Sequence, residues 1–257
     1  MLDFTAPSPP PGRDGATRSA LEVPLVPARF DVPILPQPDD LTCGPTCLHA
    51  VYRFWGDEVP LEEVIEGVDR LENQGTLGVL LGIAALKRGY RAVLYSYNLA
   101  VFDPSWFDAP TDLSAKLRAQ ADAKQDPRLR RATHAYLEFL DLGGQVCYET
   151  LSADLVRRIL QDGTPILTGL SATYLYDTPR ERDVEGNSVY DDVAGEPAGH
   201  FVVVSGWDPD GTVTLSDPLR DNPRFGAHHY SEQVDQVLYA VLLGALTYDA
   251  NFLVVRP

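Results

Sequence analysis

Residues 37–48, QPDDLTCGPTCL, carry two of the three cysteines of the chain, four positions apart around a Gly-Pro pair. Apolar side chains recur at helical spacing over residues 44–55, and a glycine follows. Pro45 suits the first turn of such a helix, where a missing backbone N–H removes no hydrogen bond. We therefore predict that Cys43 lies at the N-terminal end of a helix and that Cys47 lies one turn inside it.

Two cysteines at close spacing are compatible with three kinds of site. A zinc site would need a second Cys or His pair, and the sequence offers only His49 nearby and the distant His228 and His229. A redox pair normally has two intervening residues rather than three. Both thiols could instead be small buried hydrophobic groups, which is the interpretation that we favour for Cys47. We expect no metal and no cofactor.

Cys43 is placed for nucleophilic chemistry. The first turn of a helix has unpaired backbone N–H groups and the positive end of the helix dipole, and both favour a thiolate over a thiol. Attack on a carbonyl also needs a proton donor, a group that orients this donor, and hydrogen-bond donors for the developing oxyanion. The sequence offers a candidate for each role.

His200 and Asp217 are the candidates for the proton donor and for the group that orients it. His200 opens the apolar run GHFVVVSGW, and Asp217 ends the next strand-like segment, which follows a tight turn at residues 208–211. Antiparallel neighbours joined in this way can bring the two side chains together. The ordinary alternatives are a satisfied half-buried histidine and an aspartate that forms a turn before Pro218.

Gln37 is the candidate oxyanion donor. It lies six residues before Cys43, so its amide can fold back over the start of the helix and act with the Cys43 backbone N–H. The alternative is a solvated glutamine in a proline-rich loop. Tyr174, Tyr176 and Trp207 lie close in sequence to these segments and could line a peptide groove, although aromatic residues in strands more often belong to the core.

Composition limits the partners and the location of the protein. The 257 residues carry a formal net charge of −16, which would repel a polyanion, so nucleic acid is not expected as a partner. The acidic, proline-rich start has no secretion signal, and the longest apolar stretch is about half of the roughly twenty residues that span a bilayer. We expect no membrane insertion, a cytoplasmic location and reduced cysteines.

The periodicity of apolar residues predicts an α+β fold, because helices dominate the first half and strands the second. Residues 1–28 are expected to form a flexible Pro-rich arm, and residues 29–257 a single domain. The predicted helices cover residues 44–55, 61–71, 77–87, 113–139 with a break at Asp126-Pro127, 153–161 and 231–246. The predicted strands cover residues 92–97, 145–148, 165–176, 200–207, 212–215 and 252–255, with a loop at 177–198.

The motifs at residues 37–48, 199–207 and 216–218 together resemble the papain-like cysteine peptidases of the bacteriocin-processing, double-glycine type and their standalone relatives. The resemblance implies a papain-like fold in which an N-terminal helical half packs against a C-terminal antiparallel sheet. It also implies a role for each candidate residue: the nucleophile Cys43, the general base and acid His200, the orienting residue Asp217 and the oxyanion donor Gln37.

The expected activity is therefore hydrolysis of a peptide or amide bond, with a peptide or a small amide as substrate. The same triad would serve an acyltransferase or a deamidase, and a non-catalytic peptide-binding module would keep the same fold. In contrast to exporter-linked relatives, this chain has about fifty additional residues, roughly 98–150, which we predict to be a helical insertion. For this reason we do not expect cleavage of a double-glycine leader.

Overall fold

The computed structural model describes residues 26–70, 75–184, 187–247 and 249–257. The expected N-terminal arm lies outside the described residues except for its last three positions. The helices are α1 Cys43–Phe54, α2 Leu61–Gly67, α3 Gly78–Lys87, α4 Leu113–Lys124, α5 Pro127–Asp141, α6 Ala153–Gln161, α7 Ala172–Tyr176 and α8 Val234–Leu243, with 3₁₀ turns at Pro104–Phe107 and Gly244–Thr247. The strands are β1 Ala28–Arg29, β2 Arg91–Ser96, β3 Gln145–Cys147, β4 Ile166–Ser171, β5 Glu181–Val184, β6 Asn187–Tyr190, β7 Gly199–Trp207, β8 Thr212–Ser216, β9 His229–Gln233 and β10 Asn251–Arg256.

The main sheet lies between two layers of helices. In the described residues its strand order is β3-β2-β10-β4-β7-β8-β9, with β1 paired to the end of β7, and only the β2–β3 pair is parallel. Successive side chains of a strand point to opposite faces. Phe201 and Val203 of β7 accordingly join the core beneath α1, α3 and α5, whereas Val202 and Val204 join the core beneath α6, α7 and α8. The predicted α+β class is confirmed.

The predicted break at Asp126-Pro127 separates α4 from α5. Gln125 ends α4 in the left-handed conformation at φ 52°. The Asp126 side chain then accepts hydrogen bonds from the backbone N–H groups of Arg128 and Leu129, and Pro127 occupies the first turn of α5. An acidic cap followed by proline starts a helix, so this boundary was readable from the sequence.

Two predicted elements are wrong in part. The strand predicted over residues 165–176 ends at Ser171, because the Ser171 side chain accepts a hydrogen bond from the backbone N–H of Tyr174 and caps α7. The helix predicted over residues 231–246 begins only at Val234. The preceding residues, His229–Gln233, pair with β8 as an edge strand, and this tertiary pairing overrides their local pattern.

Two further segments differ from their predicted form. The helix predicted over residues 61–71 ends at Gly67, and position 71 lies outside the described residues. The predicted loop at 177–198 contains the hairpin β5–β6. All of its described strand residues except Glu181 are exposed, so no alternation of buried and exposed positions marks the hairpin in the sequence.

The segment at residues 98–150 is integrated into the core. Strand β3 extends the main sheet beside β2, and α5 packs on α3. The fully buried ring of Phe139 lies 2.6 Å from the position that a Cβ atom would take on Gly82 and 2.5 Å from the corresponding position on Gly144. A side chain at either glycine would occupy the space of the ring. Gly82 therefore lets α5 approach α3 closely, and Gly144 lets the chain just after α5 pass against the same ring.

Phe139→Ala tests whether the segment stabilises the whole protein. Removing a buried phenylalanine ring leaves a cavity, and we expect the free energy of unfolding to fall by about 3–5 kcal/mol. Urea denaturation followed by circular dichroism measures this change, with His134→Ala on the exposed face of α5 as the control. Equal stability of the two variants would show that α5 is peripheral.

Candidate active site

Cys43 is the first residue of α1 and is partly exposed. The preceding residue, Thr42, makes no side-chain cap hydrogen bond to the helix, so the first turn retains backbone N–H groups that can serve a ligand. A Cβ atom on Gly44 would lie 2.6 Å from Cγ2 of Thr76 and 3.3 Å from the ring of Phe201. The glycine after Cys43 therefore lets the start of α1 pack directly against the sheet.

Cys47 has a structural position one turn further along α1. It is fully buried, and its thiol donates a hydrogen bond to the carbonyl oxygen of Phe201 at 3.2 Å. Burial, followed by the charges of Cys43 and Asp217, raises the pKa of Cys47 well above its usual value. The prediction that Cys47 is a buried structural thiol is confirmed.

His200 and Asp217 are adjacent, as the two strand-like motifs predicted. Pairing of Val203 with Ser216 between β7 and β8 brings Asp217, just beyond β8, back beside His200. Nε2 of His200 lies 2.9 Å from Oδ1 of Asp217, and both side chains are buried. The second ring nitrogen, Nδ1, is thus left to face the thiol of Cys43.

The charges of the three side chains reinforce one another. Burial alone would lower the pKa of His200, but the charges of Asp217 and Cys43, with a hydrogen bond of the imidazole to each, outweigh burial and raise this pKa to about 10. The imidazole therefore carries a proton at neutral pH, held between a carboxylate and a sulfur. A thiolate paired with an imidazolium is the reactive form of a cysteine nucleophile.

The carboxylate of Asp217 accepts five hydrogen bonds, although its side chain has no exposed surface. Oδ1 accepts from His200 Nε2 and, at 2.9 Å, from the backbone N–H of Leu219. Burial opposes ionisation, but the charge and hydrogen bond of His200, together with donors that include the Leu219 N–H, lower the pKa of Asp217 below its usual value. A buried charge persists only with such donors.

Oδ2 of Asp217 accepts the other three hydrogen bonds. They come from the Tyr230 hydroxyl at 2.7 Å, the Tyr176 hydroxyl at 2.8 Å and the Asn222 amide at 3.0 Å. Burial, followed by the charge of Asp217, raises the pKa of both tyrosines, so both hydroxyls keep the protons that they donate. Sequence reasoning assigned none of these three residues to Asp217.

Gln37 lies beside the other candidates with only 5% of its surface exposed. Its amide nitrogen donates one proton to the carbonyl oxygen of Asp39 at 2.9 Å, which leaves the second amide proton available. Among the described residues Oε1 has no hydrogen-bond partner. The alternative of a solvated Gln37 side chain is therefore wrong, because the loop folds over it.

The loop that carries Gln37 is tied to the loop that carries Asp217. The backbone N–H of Gln37 donates to the carbonyl oxygen of Pro218 at 2.8 Å, and the Asp39 side chain accepts from the backbone N–H of Leu41 at 2.9 Å. Short side-chain-to-backbone bonds of this kind fix turns. The backbone at Gln37 is therefore bonded to the residue that follows Asp217.

A cleft of about 400 Å³ adjoins His200. Gln37, Tyr176 and His200 line it. The other lining residues include Glu181, Ser188 and Tyr190 of the β5–β6 hairpin, with Asp40 and Asp221. Tyr176 thus lines a groove as expected. Tyr174 lines a neighbouring cavity instead, and Trp207 belongs to the core.

A second cavity, of about 500 Å³, lies beyond the segment that leads into β7. Pro197 and Thr247 line it, and so do Thr76 and the α5 residues Arg128 and Arg131. Thr76 also contacts the start of α1, where a Cβ on Gly44 would touch it. The segment at residues 98–150 therefore lines this cavity as well as contributing to the core.

Within the described ranges, no three His, Cys, Asp or Glu side chains are grouped so that they could hold a metal ion. No helix in the same part of the chain is both long and apolar enough to cross a bilayer.

The chain is similar to a known protein family and to solved structures. The model of the Peptidase C39-like family matches residues 29–236. Comparison with curated proteins finds no match. A solved double-glycine motif protease from an AMS/PCAT transporter, in complex with the leader peptide, is 13% identical over 90% of this chain and 94% of that chain, with a TM-score of 0.41.

The family match covers the segments that bear Gln37, Cys43, His200 and Asp217. It extends over far more than half of the chain and agrees with the expected papain-like arrangement of helices and antiparallel sheet. The chain belongs to the Peptidase C39-like family of cysteine peptidase-like proteins.

Proposed function

We propose that the protein is a cysteine peptidase that hydrolyses peptide bonds with Cys43 as nucleophile, His200 as general acid and base, and Asp217 as the residue that orients His200. The observation that carries the proposal is the buried imidazole, which has Asp217 on one side at 2.9 Å and the Cys43 sulfur within hydrogen-bonding reach on the other. Family membership and the cleft beside His200 support it.

The reaction follows from the charges of these groups. The Cys43 thiolate attacks the carbonyl carbon, and the free amide proton of Gln37 and the Cys43 backbone N–H bind the oxyanion. His200 gives its proton to the leaving amine as the C–N bond breaks, which leaves a thioester. Neutral His200 then takes a proton from water, and the resulting hydroxide attacks the thioester. The C–S bond breaks, the acid product leaves, and the thiolate re-forms. Asp217 holds the imidazole in one orientation throughout.

Cys43→Ala should lower kcat/KM by roughly 10⁴-fold or more, because no other group can form the thioester. A peptide library analysed by mass spectrometry first identifies a cleaved sequence, which then serves for kinetics. Cys147→Ala is the matched control, since its thiol lies outside the site, and it should keep wild-type turnover. Full cleavage by Cys43→Ala would refute the proposal, and binding without cleavage by the wild type would indicate a peptide-binding module.

The three thiols should react with iodoacetamide at different rates. Because the pKa of His200 is raised to about 10, the imidazole stays protonated across neutral pH and its positive charge stays beside Cys43. Burial raises the pKa values of Cys47 and Cys147, so both should stay protonated and slow. Peptide mapping after labelling at pH 7 should find Cys43 modified first. Its advantage should diminish at alkaline pH, where Cys147 also loses its proton. Similar rates for Cys43 and Cys147 at pH 7 would contradict the ion pair.

Gln37→Ala should separate oxyanion binding from nucleophile activation. Loss of one oxyanion donor typically lowers kcat by about 10²–10³-fold. Alkylation of Cys43 should be unchanged, because Gln37 stabilises charge only after attack. Gln37→Glu, of nearly equal size but without the amide donor, should show the same loss. Wild-type kcat in both variants would remove Gln37 from the mechanism.

A further inference from the structure

Three donors converge on Oδ2, the oxygen of Asp217 that does not face His200. Tyr176 donates from the end of α7, Asn222 from the loop after β8, and Tyr230 from β9. We call these three residues the Oδ2 donor group. A carboxylate oxygen has about two lone-pair sites, so three donors exceed what satisfaction of a buried oxygen requires.

Asn222 and Tyr230 are fixed by contacts of their own. Oδ1 of Asn222 accepts the backbone N–H groups of Arg224 at 3.1 Å and Phe225 at 2.9 Å. Because the amide oxygen is occupied in this way, the NH₂ group must face Asp217. The ring of Tyr230 stacks on that of Phe225 with centroids 3.7 Å apart. Both donors are therefore oriented independently of Asp217.

Tyr176 connects Asp217 to the cleft. Its ring centroid lies 5.9 Å from that of His200, and its side chain lines the cleft while its hydroxyl bonds Oδ2. It is also buried, with 5% of its surface exposed. A single side chain thus contacts the carboxylate and forms the wall beside the imidazole.

The terminal torsion of an aspartate side chain is broad, so packing alone leaves the plane of the carboxylate poorly defined. Three side-chain donors on Oδ2, with the Leu219 backbone N–H beside His200 on Oδ1, together select a single orientation. In that orientation Oδ1 points at Nε2 of His200.

We propose that the three residues of the Oδ2 donor group, Tyr176, Asn222 and Tyr230, are positioning residues for catalysis. They hold the Asp217 carboxylate ionised and oriented toward His200. This inference rests on the proposed function. The three residues affect the reaction through Asp217 and His200, and they do not contact the scissile bond.

The test compares Tyr230→Phe with Tyr97→Phe. Each variant removes one hydroxyl, from the partly buried Tyr230 or from the buried Tyr97, and among the described residues the Tyr97 hydroxyl has no hydrogen-bond partner. Measurements are kcat and KM, the pH profile of Cys43 alkylation, and the thermal midpoint. For Tyr230→Phe we expect kcat to fall roughly tenfold or more with KM unchanged, because the imidazole loses its fixed orientation.

The acid limb of the Cys43 alkylation profile should also move to higher pH in Tyr230→Phe. The Tyr230 hydrogen bond is among the causes that lower the pKa of Asp217, so its loss makes the carboxylate easier to protonate. A protonated Asp217 no longer stabilises the imidazolium that faces Cys43. Tyr97→Phe should leave both kcat and the profile at their wild-type values.

The inference would be overturned if Tyr230→Phe and Tyr97→Phe had the same kcat and the same pH profile of Cys43 alkylation. This holds even if the thermal midpoint of Tyr230→Phe falls. Tyr176→Phe removes a different donor from the same oxygen and replaces Tyr230→Phe should the latter fail to fold. The alkylation profile needs no substrate. A wild type without Cys43-dependent cleavage would therefore refute the proposed function, whereas an unshifted acid limb would refute the role of the Oδ2 donor group.

Discussion

The fully buried carboxylate of Asp217 is the interaction on which the arrangement of this site depends. An ionised group without solvent contact is unstable unless hydrogen bonds replace its water. Here the five donors come from β7, α7, β9 and the loop that begins at Pro218. The C-terminal part of the sheet and the helix beside it must therefore assemble before the charge can be accommodated.

The same packing surrounds His200 and the loop that carries Gln37. Burial lowers the pKa of His200, but the charges of Asp217 and Cys43 raise it to about 10. The backbone N–H of Gln37 donates to the carbonyl oxygen of Pro218, so this loop is bonded to the residue after Asp217. Donors that are already oriented avoid the cost of reorienting dipoles as charge develops. Cys43 begins α1, in the helical layer that packs against Phe201 and Val203.

The sequence was informative where local pattern and chemistry coincide. The helix start at Cys43, the strand that opens with His200 and the turn that returns to Asp217 each have their own signal, and the structure brings the three side chains together. The donors of Oδ2 have no such signal. Tyr176 lay in a segment with strand character, and Tyr230 lay in an edge strand that precedes an apolar helix. Their contact with Asp217 is a consequence of tertiary packing alone.

The hydrogen bond between the Cys47 thiol and the Phe201 carbonyl joins α1 to β7 within one helical turn of Cys43 and one residue of His200. Cys43 and His200 therefore lie on two elements that are bonded to each other close to both residues. Without this bond the start of α1 would be freer to shift against β7. The second cysteine of the opening motif thus bears on where the first one lies.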